Sequence, residues 1–310
     1  MTARIKLKET GLEIFPLCLG GNVFGWTANE EESFKVLDAF AEAGGNFIDT
    51  ADVYSEWKEG NTGGDSEKIL GKWMKSRGNR HQIVIATKVA KYSKRPGLSE
   101  ANIKAAVTES LDRLQTDHID LYYAHEDDTK VELAETLGAF NDLVKGGQVH
   151  LIGASNYSGD RLREAHKIST ANGFAKYTAL QNHYNLVERK EFESDAAIAT
   201  RELGVNSFPY FGLARGFLTG KYQPGVTIES ARAQGASAYF NEKGWTTLNK
   251  VTEIAKQHGE SNSAIALAWL RAKGQVPIAS ARTVDQLREI MQVVELSASE
   301  VSQLDAVSNS

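Results

Sequence analysis

The strongest constraint on the fold is a regular alternation of short apolar runs with segments of helical periodicity, which continues along the whole chain. Several of the apolar runs are continuous, which is typical of strands buried on both faces of a parallel sheet. Eight runs occur, at residues 17–20, 46–48, 83–87, 119–124, 149–153, 178–181, 205–208 and 276–279. Eight strands that are each followed by a helix predict a closed (β/α)8 barrel of the TIM type, in the α/β class.

The segments between the runs carry helix-boundary signals. Ile103, Val107 and Leu111 form one helix face, and Ser99 is a candidate N-cap for that helix. Glycine pairs at 44–45 and 146–147 follow two other helical segments and predict their C-terminal ends. A doubly wound sheet is the alternative architecture, but no Gly-x-Gly-x-x-Gly motif follows the first run, which disfavours a Rossmann nucleotide site.

Two segments fall outside the repeat. Residues 5–7 and 12–15 flank a turn at 9–11 and predict a β-hairpin before the first barrel strand. After the seventh strand, a long loop runs from about residue 212 to 245, and long loops of this kind are often functional. No linker divides the chain, so residues 1–310 are predicted to form one domain.

Composition narrows the function classes. The chain of 310 residues has a formal net charge of -5 and a pI near 5.9, which gives no basic footprint for nucleic acid. One cysteine, Cys18, cannot form an internal disulfide, and no run approaches the length of a membrane span. We therefore expect a cytoplasmic protein with no nucleic-acid partner, no membrane association and no metal site. The oligomeric state stays open.

Polar residues follow three neighbouring strands. Asp49, Lys88 and His125 come directly after the second, third and fourth runs, and Tyr54 lies in the loop after Asp49. In a barrel the strand ends meet at the C-terminal face, so these four side chains are predicted to converge there. Each also has an ordinary structural interpretation, such as a helix cap for the aspartate, but four together favour a catalytic site.

The four residue types suit proton transfer to a carbonyl that accepts hydride. The developing oxyanion needs a nearby proton donor, and Tyr54 is the candidate general acid. A phenol has a pKa near 10, so we expect the Lys88 ammonium to lower it. Asp49 would hold Lys88 in place, and His125 would orient the carbonyl by hydrogen bonding.

A set of ordered motifs resembles the aldo-keto reductase superfamily. These motifs are residues 47–54 (FIDTADVY), 85–88 (IATK), 121–125 (LYYAH), 153–156 (GASN), 180–182 (LQN), 213–222 (LARGFLTGKY) and 277–283 (PIASART). They span nearly the whole chain. The sequence is most similar to the bacterial branch, which also resembles potassium-channel β subunits.

The resemblance implies an extended NADP(H) across the barrel mouth. Ser155, Asn156 and Gln181 match positions that hold the nicotinamide carboxamide, and Tyr210 matches the position that stacks on its ring. The other cofactor-binding positions that the resemblance implies are Gly21, Phe211, Leu213, Arg215, Lys221, Ser280, Arg282, Gln286 and Glu289. Arg282 is the strongest candidate for the 2′-phosphate, because its planar fork suits bidentate recognition.

Some positions depart from the family pattern. Glu126-Asp127-Asp128 stands after His125 where a Pro-Asp pair is frequent, and Phe211-Gly212 replaces a frequent Ser-Pro. Ser280 and Ile290 occupy places where many members have a basic residue and an asparagine. These last two departures leave the choice between NADP and NAD less sharply specified.

Aromatic residues near the strand ends predict a pocket for apolar or aromatic carbonyl compounds, with walls from Phe24, Trp26, Trp57 and Tyr92. The predicted function is therefore NADP(H)-dependent hydride transfer between nicotinamide and a carbonyl or alcohol. One alternative is an NADP(H)-sensing regulatory protein related to the channel β subunits. Another is a Schiff-base aldolase that uses Lys88.

Overall fold

The computed structural model describes residues 4–225 and 233–309. Within them, ten short strands follow one another along the chain. Their bounds are β1 Ile5–Lys6, β2 Glu13–Ile14, β3 Cys18–Gly20, β4 Phe47–Asp49, β5 Val84–Val89, β6 Ile119–Ala124, β7 Val149–Ser155, β8 Tyr177–Gln181, β9 Asn206–Ser207 and β10 Ile278–Ala279.

Eleven α-helices lie within the same ranges. They are α1 Glu30–Glu42, α2 Asp65–Arg77, α3 Glu100–Leu114, α4 Leu133–Lys145, α5 Gly159–Asn172, α6 Ala197–Leu203, α7 Ala233–Ala236, α8 Glu242–His258, α9 Asn262–Ala272, α10 Val284–Ile290 and α11 Ala298–Ser308. In the part of the chain that the structure describes, none of these helices has the length and apolar character needed to cross a bilayer.

Strands β3 to β10 form one parallel sheet in the order β10-β3-β4-β5-β6-β7-β8-β9. Two backbone hydrogen bonds join the outer segments of this order, from the Val276 amide to the Ser207 carbonyl (3.1 Å) and from the Ile278 amide to the Pro209 carbonyl (3.0 Å). The sheet thus curls back on itself with helices around it. The predicted (β/α)8 barrel is confirmed.

Two apolar cores account for the stability of this arrangement. The inner core fills the barrel with buried side chains such as Phe47, Leu121 and Phe208, and Phe47 and Phe208 meet edge to face at 5.2 Å. The larger outer core lies between the strands and the helices. Because β4, β5 and β6 are buried along their whole length, apolar residues occupy both faces of these strands instead of alternating with polar ones.

The N-terminal hairpin forms as predicted. Strands β1 and β2 pair in antiparallel fashion, with Ile5 opposite Ile14. Leu7 and Ile14 are buried and belong to the inner core, where they pack with strand residues of the barrel. The hairpin therefore covers the inner core at the end of the barrel where the strands begin.

Helix boundaries agree with their capping signals. The Ser99 hydroxyl accepts a hydrogen bond from the Asn102 amide at the start of α3, as the sequence predicted. Helix α1 ends at Glu42, just before the predicted glycine pair, and Gly44 has a φ of 88°. That left-handed conformation is readily available to glycine.

The long connection after β9 begins with an irregular segment. Residues Phe211, Ala214 and Arg215 have positive φ angles of 55°, 47° and 56°, and a short 3-10 segment covers Ala214–Thr219. Residues 226–232 of the predicted loop lie outside the described residues. Helical structure is already present in the short helix α7 at Ala233–Ala236, inside the segment predicted as a loop. Helix α8 begins at Glu242, where the Asn241 side chain accepts from the Gly244 amide as an N-cap.

Candidate active site

Four polar side chains gather at the end of the barrel where the strands terminate. Asp49 is the last residue of β4, Lys88 lies near the end of β5, and His125 directly follows β6. The parallel register places Asp49 beside Ala86, and Lys88 beside Tyr123. Tyr54 enters from the loop after β4. The structure thus brings together the four residues that strand-end position predicted.

The Lys88 ammonium is the centre of their hydrogen-bond network. Its Nζ donates to Asp49 Oδ2 (2.7 Å), to the Tyr54 hydroxyl (2.9 Å) and to the Thr50 carbonyl (2.7 Å). The Lys88 side chain is fully buried and that of Asp49 is 2% exposed. Each of the three N–H groups of the Lys88 ammonium can therefore donate to its own acceptor, which compensates the cost of burying the charge.

Asp49 is fixed on both of its oxygens. Besides Lys88, Oδ2 accepts from the Tyr54 hydroxyl at 3.3 Å, while Oδ1 accepts from the Gln181 side-chain amide at 2.8 Å. The Gln181 backbone carbonyl in turn accepts from the Ser155 hydroxyl at 2.8 Å. These bonds orient the carboxylate toward Lys88 and Tyr54.

The protonation states follow from burial and from neighbouring charge. Burial, with a further contribution from Asp49, holds the pKa of Tyr54 well above its ordinary value of 10. This corrects the expectation that Lys88 would lower it: a poorly solvated phenolate facing a carboxylate is disfavoured. Burial and then the Lys88 charge hold the pKa of His125 well below 6.5. Tyr54 is therefore a protonated phenol and His125 a neutral imidazole near pH 7.

A cavity of about 600 Å³ opens over these groups. Asp49, Tyr54 and His125 line it, together with nearly all residues expected to bind cofactor. These are Ser155, Asn156, Gln181, Tyr210, Phe211, Leu213, Arg215, Lys221, Ser280, Arg282, Gln286 and Glu289. Residues from distant parts of the chain thus meet in a single cleft whose size is typical of a small-molecule site.

Gly21 does not line the cavity, and its environment indicates packing instead. A Cβ at this position would lie 2.8 Å from Ser66 Oγ and 2.9 Å from the Asp49 carbonyl oxygen. The Ser66 hydroxyl also donates to the Gly21 carbonyl at 2.8 Å. Glycine is needed here because the residue that follows β3 lies directly against Ser66 at the start of α2 and against the Asp49 backbone.

The irregular segment after β9 forms one wall of the cavity through aromatic and cationic contacts. The Tyr210 ring stacks on His183 with 5.4 Å between centroids and 12° between planes, and its hydroxyl donates to Asn156 Oδ1 at 2.7 Å. The Arg215 guanidinium lies 4.1 Å from the centre of the Phe211 ring. These contacts fix the wall on which the cofactor ring was predicted to stack.

The predicted aromatic pocket is only partly present. Trp57 lines the cavity, is half-exposed, and meets Trp26 edge to face at 5.6 Å and Tyr54 at 6.1 Å. Trp26 supports Trp57 from outside the lining, and Tyr92 lies against Gly63, also outside it. Phe24 has no exposed surface and packs in the outer core, so its prediction as a pocket wall is corrected.

Sequence reasoning missed several cavity residues. Asn22, Thr27, Thr219 and Ser263 line the cleft, and Asn22 Oδ1 accepts from the Ser280 hydroxyl at 2.6 Å. Asn22 lies two residues beyond β3, so the strand-end argument that found Asp49 would have found it too. Ser263 lies in α9 and carries no comparable signal.

Comparison with known sequences places the chain in a family. The sequence matches the model of the aldo/keto reductase family over residues 16–309, and the chain belongs to that family. It is therefore an oxidoreductase of a family that generally reduces carbonyls with a nicotinamide cofactor. The resemblance seen in the sequence is confirmed.

Three relatives illustrate the range of that family. The chain is 35% identical to the uncharacterized oxidoreductase YrpG of Bacillus subtilis, over 94% of this chain and 90% of that protein. It is 32% identical to norsolorinic acid reductase stcV of Emericella nidulans, over 97% and 80%. It is 30% identical to protein tas of Escherichia coli, over 97% and 96%.

Proposed function

We propose that the protein is an NADP(H)-dependent reductase of aldehydes or ketones in which Tyr54 is the general acid. The observation that carries this proposal is the contact of the Lys88 ammonium with both Asp49 Oδ2 and the Tyr54 hydroxyl at the wall of a cavity that His125 also lines. Family membership supports the reaction class.

The donor set of the cavity fits a dinucleotide cofactor with phosphate groups. Arg215, Lys221 and Arg282 place three cationic side chains in its lining, which suits a polyanionic ligand. Near the catalytic residues, Ser155 and Asn156 offer hydroxyl and amide groups that suit a carboxamide. When bound, such a cofactor would supply the hydride for reduction.

The chain's own residues supply the proton and stabilise the phenolate that its transfer leaves behind. Tyr54 donates its hydroxyl proton to the carbonyl oxygen, and the Lys88 ammonium, 2.9 Å from that hydroxyl, stabilises the phenolate that remains. Asp49 keeps Lys88 in position. A neutral His125 carries one ring N–H, with which it donates a hydrogen bond that orients the substrate oxygen.

The half-exposed Trp57 beside Tyr54 supports a substrate with an apolar or aromatic carbonyl. One relative is named norsolorinic acid reductase, which supports the direction of reduction. We also propose that residues 1–310 act as one domain, because β3 and β10 from the two ends of the chain pair in one sheet. The buried, unpaired Cys18 supports a cytoplasmic location.

The proposal is tested by following NADPH and NADH oxidation with a panel of aromatic aldehydes, aliphatic aldehydes, ketones and quinones. Carbonyl-dependent oxidation of NADPH that is lost in Tyr54→Phe would support it. Tight NADPH binding with no turnover of any carbonyl would instead support an NADP(H)-sensing regulatory protein. An enzyme that prefers NADH would contradict the cofactor assignment.

Replacing Arg282 by Ala is expected to weaken NADPH binding by roughly one to two orders of magnitude and to leave NADH binding nearly unchanged. A hydrogen bond between charged groups contributes about 1.5–3 kcal/mol, and NADH has no 2′-phosphate to receive it. Fluorescence titration of both cofactors measures the difference. The effect should shrink at high salt, because Arg282 is exposed.

Arg288→Ala is the matched control for Arg282→Ala. Arg288 is an exposed arginine of α10, the short helix that begins two residues after Arg282; it pairs with Asp285 at 3.0 Å and does not line the cavity. It should leave both affinities unchanged. Equal weakening of NADPH and NADH by Arg282→Ala would show that Arg282 supports the loop rather than the phosphate.

The pH profile of kcat/KM for carbonyl reduction is expected to be flat between about pH 6 and 8, where an unperturbed histidine would titrate. The pKa of His125 lies below this window and that of Tyr54 above it, so neither changes its proton there. Steady-state rates in overlapping buffers measure the profile. A step near pH 6.5 that His125→Gln abolishes would contradict the neutral imidazole.

Ionisation of Asp52 is a second source of pH dependence, and the variant Asp52→Asn distinguishes it from ionisation of His125. Burial, with Glu67 adding to it, raises the pKa of Asp52 to about 7, but Asp52 does not line the cavity. A step that disappears in Asp52→Asn and persists in His125→Gln leaves the assignment of His125 intact.

A further inference from the structure

A second group of chemically capable side chains lies at the opposite end of the barrel from Tyr54. His118 directly precedes β6, Asp120 is in β6 and His150 is in β7. Within residues 4–225 and 233–309, these three form the one group of histidine, cysteine and acidic residues whose candidate ligand atoms lie close enough to share a metal, all within 4.8 Å of one another.

The parallel register creates this group. Ile119 pairs with Val149 and Leu121 with Leu151, so Asp120 and His150 occupy equivalent positions on adjacent strands. The two imidazole rings of His118 and His150 stack, with 4.6 Å between their centroids and 24° between their planes. His118 and His125 lie before and after the same strand, about 20 Å apart by the rise of a strand.

One carboxylate oxygen of Asp120 is held by a hydrogen bond and an ion pair, and the other faces the two histidines. Its Oδ2 accepts from the Ile85 amide (2.8 Å) and pairs with the Arg80 guanidinium (2.8 Å). Its Oδ1 faces His118 Nε2 at 3.9 Å and His150 Nδ1 at 3.7 Å. Both separations are too long for a hydrogen bond.

The proton on His118 is assigned by its other neighbour. Its Nδ1 lies 2.6 Å from Asp117 Oδ1, and a carboxylate can only accept, so Nδ1 carries the hydrogen. In the neutral ring, Nε2 is then a lone pair that faces Asp120 Oδ1. Two electron-rich atoms in this arrangement favour a cation between them. An outer carboxylate on the far ring nitrogen is also typical of metal-binding histidines.

The spacing suits a tetrahedral ion. Zinc lies about 2.0–2.2 Å from imidazole nitrogen and carboxylate oxygen, so two ligand atoms at a tetrahedral angle are about 3.3–3.5 Å apart. The observed 3.7 and 3.9 Å are a few tenths of an ångström longer. The His150 side chain is 53% exposed, so it has room to adjust and leaves a path for an ion to enter.

We propose that His118, Asp120 and His150 form a zinc site that links β6 and β7, with solvent as the fourth ligand. The sequence analysis predicted no metal site, because the ligands become neighbours only through the strand register. Since the site lies at the far end of β6 from His125, this proposal is independent of the proposed reductase activity.

The test uses the full chain without an affinity tag, stripped with a chelator and titrated with Zn²⁺ alone in competition with a chromophoric chelator. One ion should bind per chain. Removing an outer-shell partner weakens metal binding by up to roughly 100-fold. Because His118 and His150 are proposed as direct ligands, His118→Ala and His150→Ala should each weaken zinc binding by at least that factor. Asp117→Asn, which removes such a partner, should weaken it by about 10-fold.

His81→Ala is the matched control, because His81 is exposed, precedes β5 at the same end of the barrel and does not belong to the group. It should bind zinc as the wild type does. Co²⁺ provides a second readout: the wild type should give the intense visible bands of a tetrahedral site, and the His118→Ala/His150→Ala protein should not. A cooperative denaturant-unfolding transition in each metal-free variant establishes that the variant is folded.

Two results would overturn the proposal. One is zinc binding by the His118→Ala/His150→Ala protein with the affinity of the wild type, which would place the ion elsewhere. The other is a wild type that binds no zinc, in which case His118 is a surface histidine hydrogen-bonded to Asp117.

Discussion

Tyr54→Phe is expected to lower kcat for carbonyl reduction by about 10²–10⁴-fold, the usual contribution of a positioned general acid. The change removes only the hydroxyl, which accepts from Lys88 at 2.9 Å and donates to Asp49 at 3.3 Å. The ring keeps its edge-to-face contacts with Trp57 and His125. NADPH affinity should therefore change little, and fluorescence titration alongside steady-state kinetics separates the two effects.

Tyr92→Phe is the matched control for Tyr54→Phe. Tyr92 is a partly exposed tyrosine that does not line the cavity, so its hydroxyl should be dispensable. Near-normal turnover by Tyr54→Phe would remove Tyr54 from the mechanism.

Lys88→Met is expected to combine a comparable loss of kcat with a loss of roughly 3–5 kcal/mol in the free energy of unfolding, which is the usual cost of removing one partner of a buried ion pair. Asp49 would remain 2% exposed, with Gln181 and Tyr54 as its hydrogen-bond donors but no cation. Denaturant unfolding and steady-state rates measure the two losses.

The double variant Asp49→Asn/Lys88→Met distinguishes the structural role of the pair from the catalytic one. With both charges removed, much of the lost stability should return, because replacing a whole buried pair by neutral residues costs little. Activity should stay low, since the phenolate of Tyr54 would still lack its cation. Asp49→Asn alone should reduce kcat less than Lys88→Met, because Asp49 acts through the lysine. The reverse order would contradict these roles.

The fold was predictable because a buried parallel strand leaves a continuous apolar run in the sequence. The runs at 83–87 and 119–124 coincide closely with Val84–Val89 and Ile119–Ala124. The run at 205–208 narrows to Asn206–Ser207, because only these residues pair with β8. The start of α8 was placed too late, since the N-cap at Asn241 was not recognised.

The site was predictable where position along a strand decides it, and not where side-chain environment does. Asp49, Lys88 and His125 follow from strand ends alone. The direction of the shift in the pKa of Tyr54 depends on burial, which the sequence does not reveal. Phe24 and Trp57 are both aromatic residues near the rim, yet one is buried in the outer core and the other is half-exposed. The group of His118, Asp120 and His150 forms only because Ile119 pairs with Val149, which lies 30 residues further along the chain.

The closure of the barrel has a consequence for synthesis of the chain. Strand β3 pairs with β4 on one side and with β10 on the other, and the Ser280 hydroxyl reaches Asn22 across 258 positions of sequence. At about 5–20 residues per second, a ribosome needs on the order of ten to fifty seconds to make the intervening segment. Throughout that time β3 is an edge strand with unpaired backbone groups, open to pairing with another nascent chain. The ring is therefore completed only after the C-terminal strand has been synthesised and released from the ribosome.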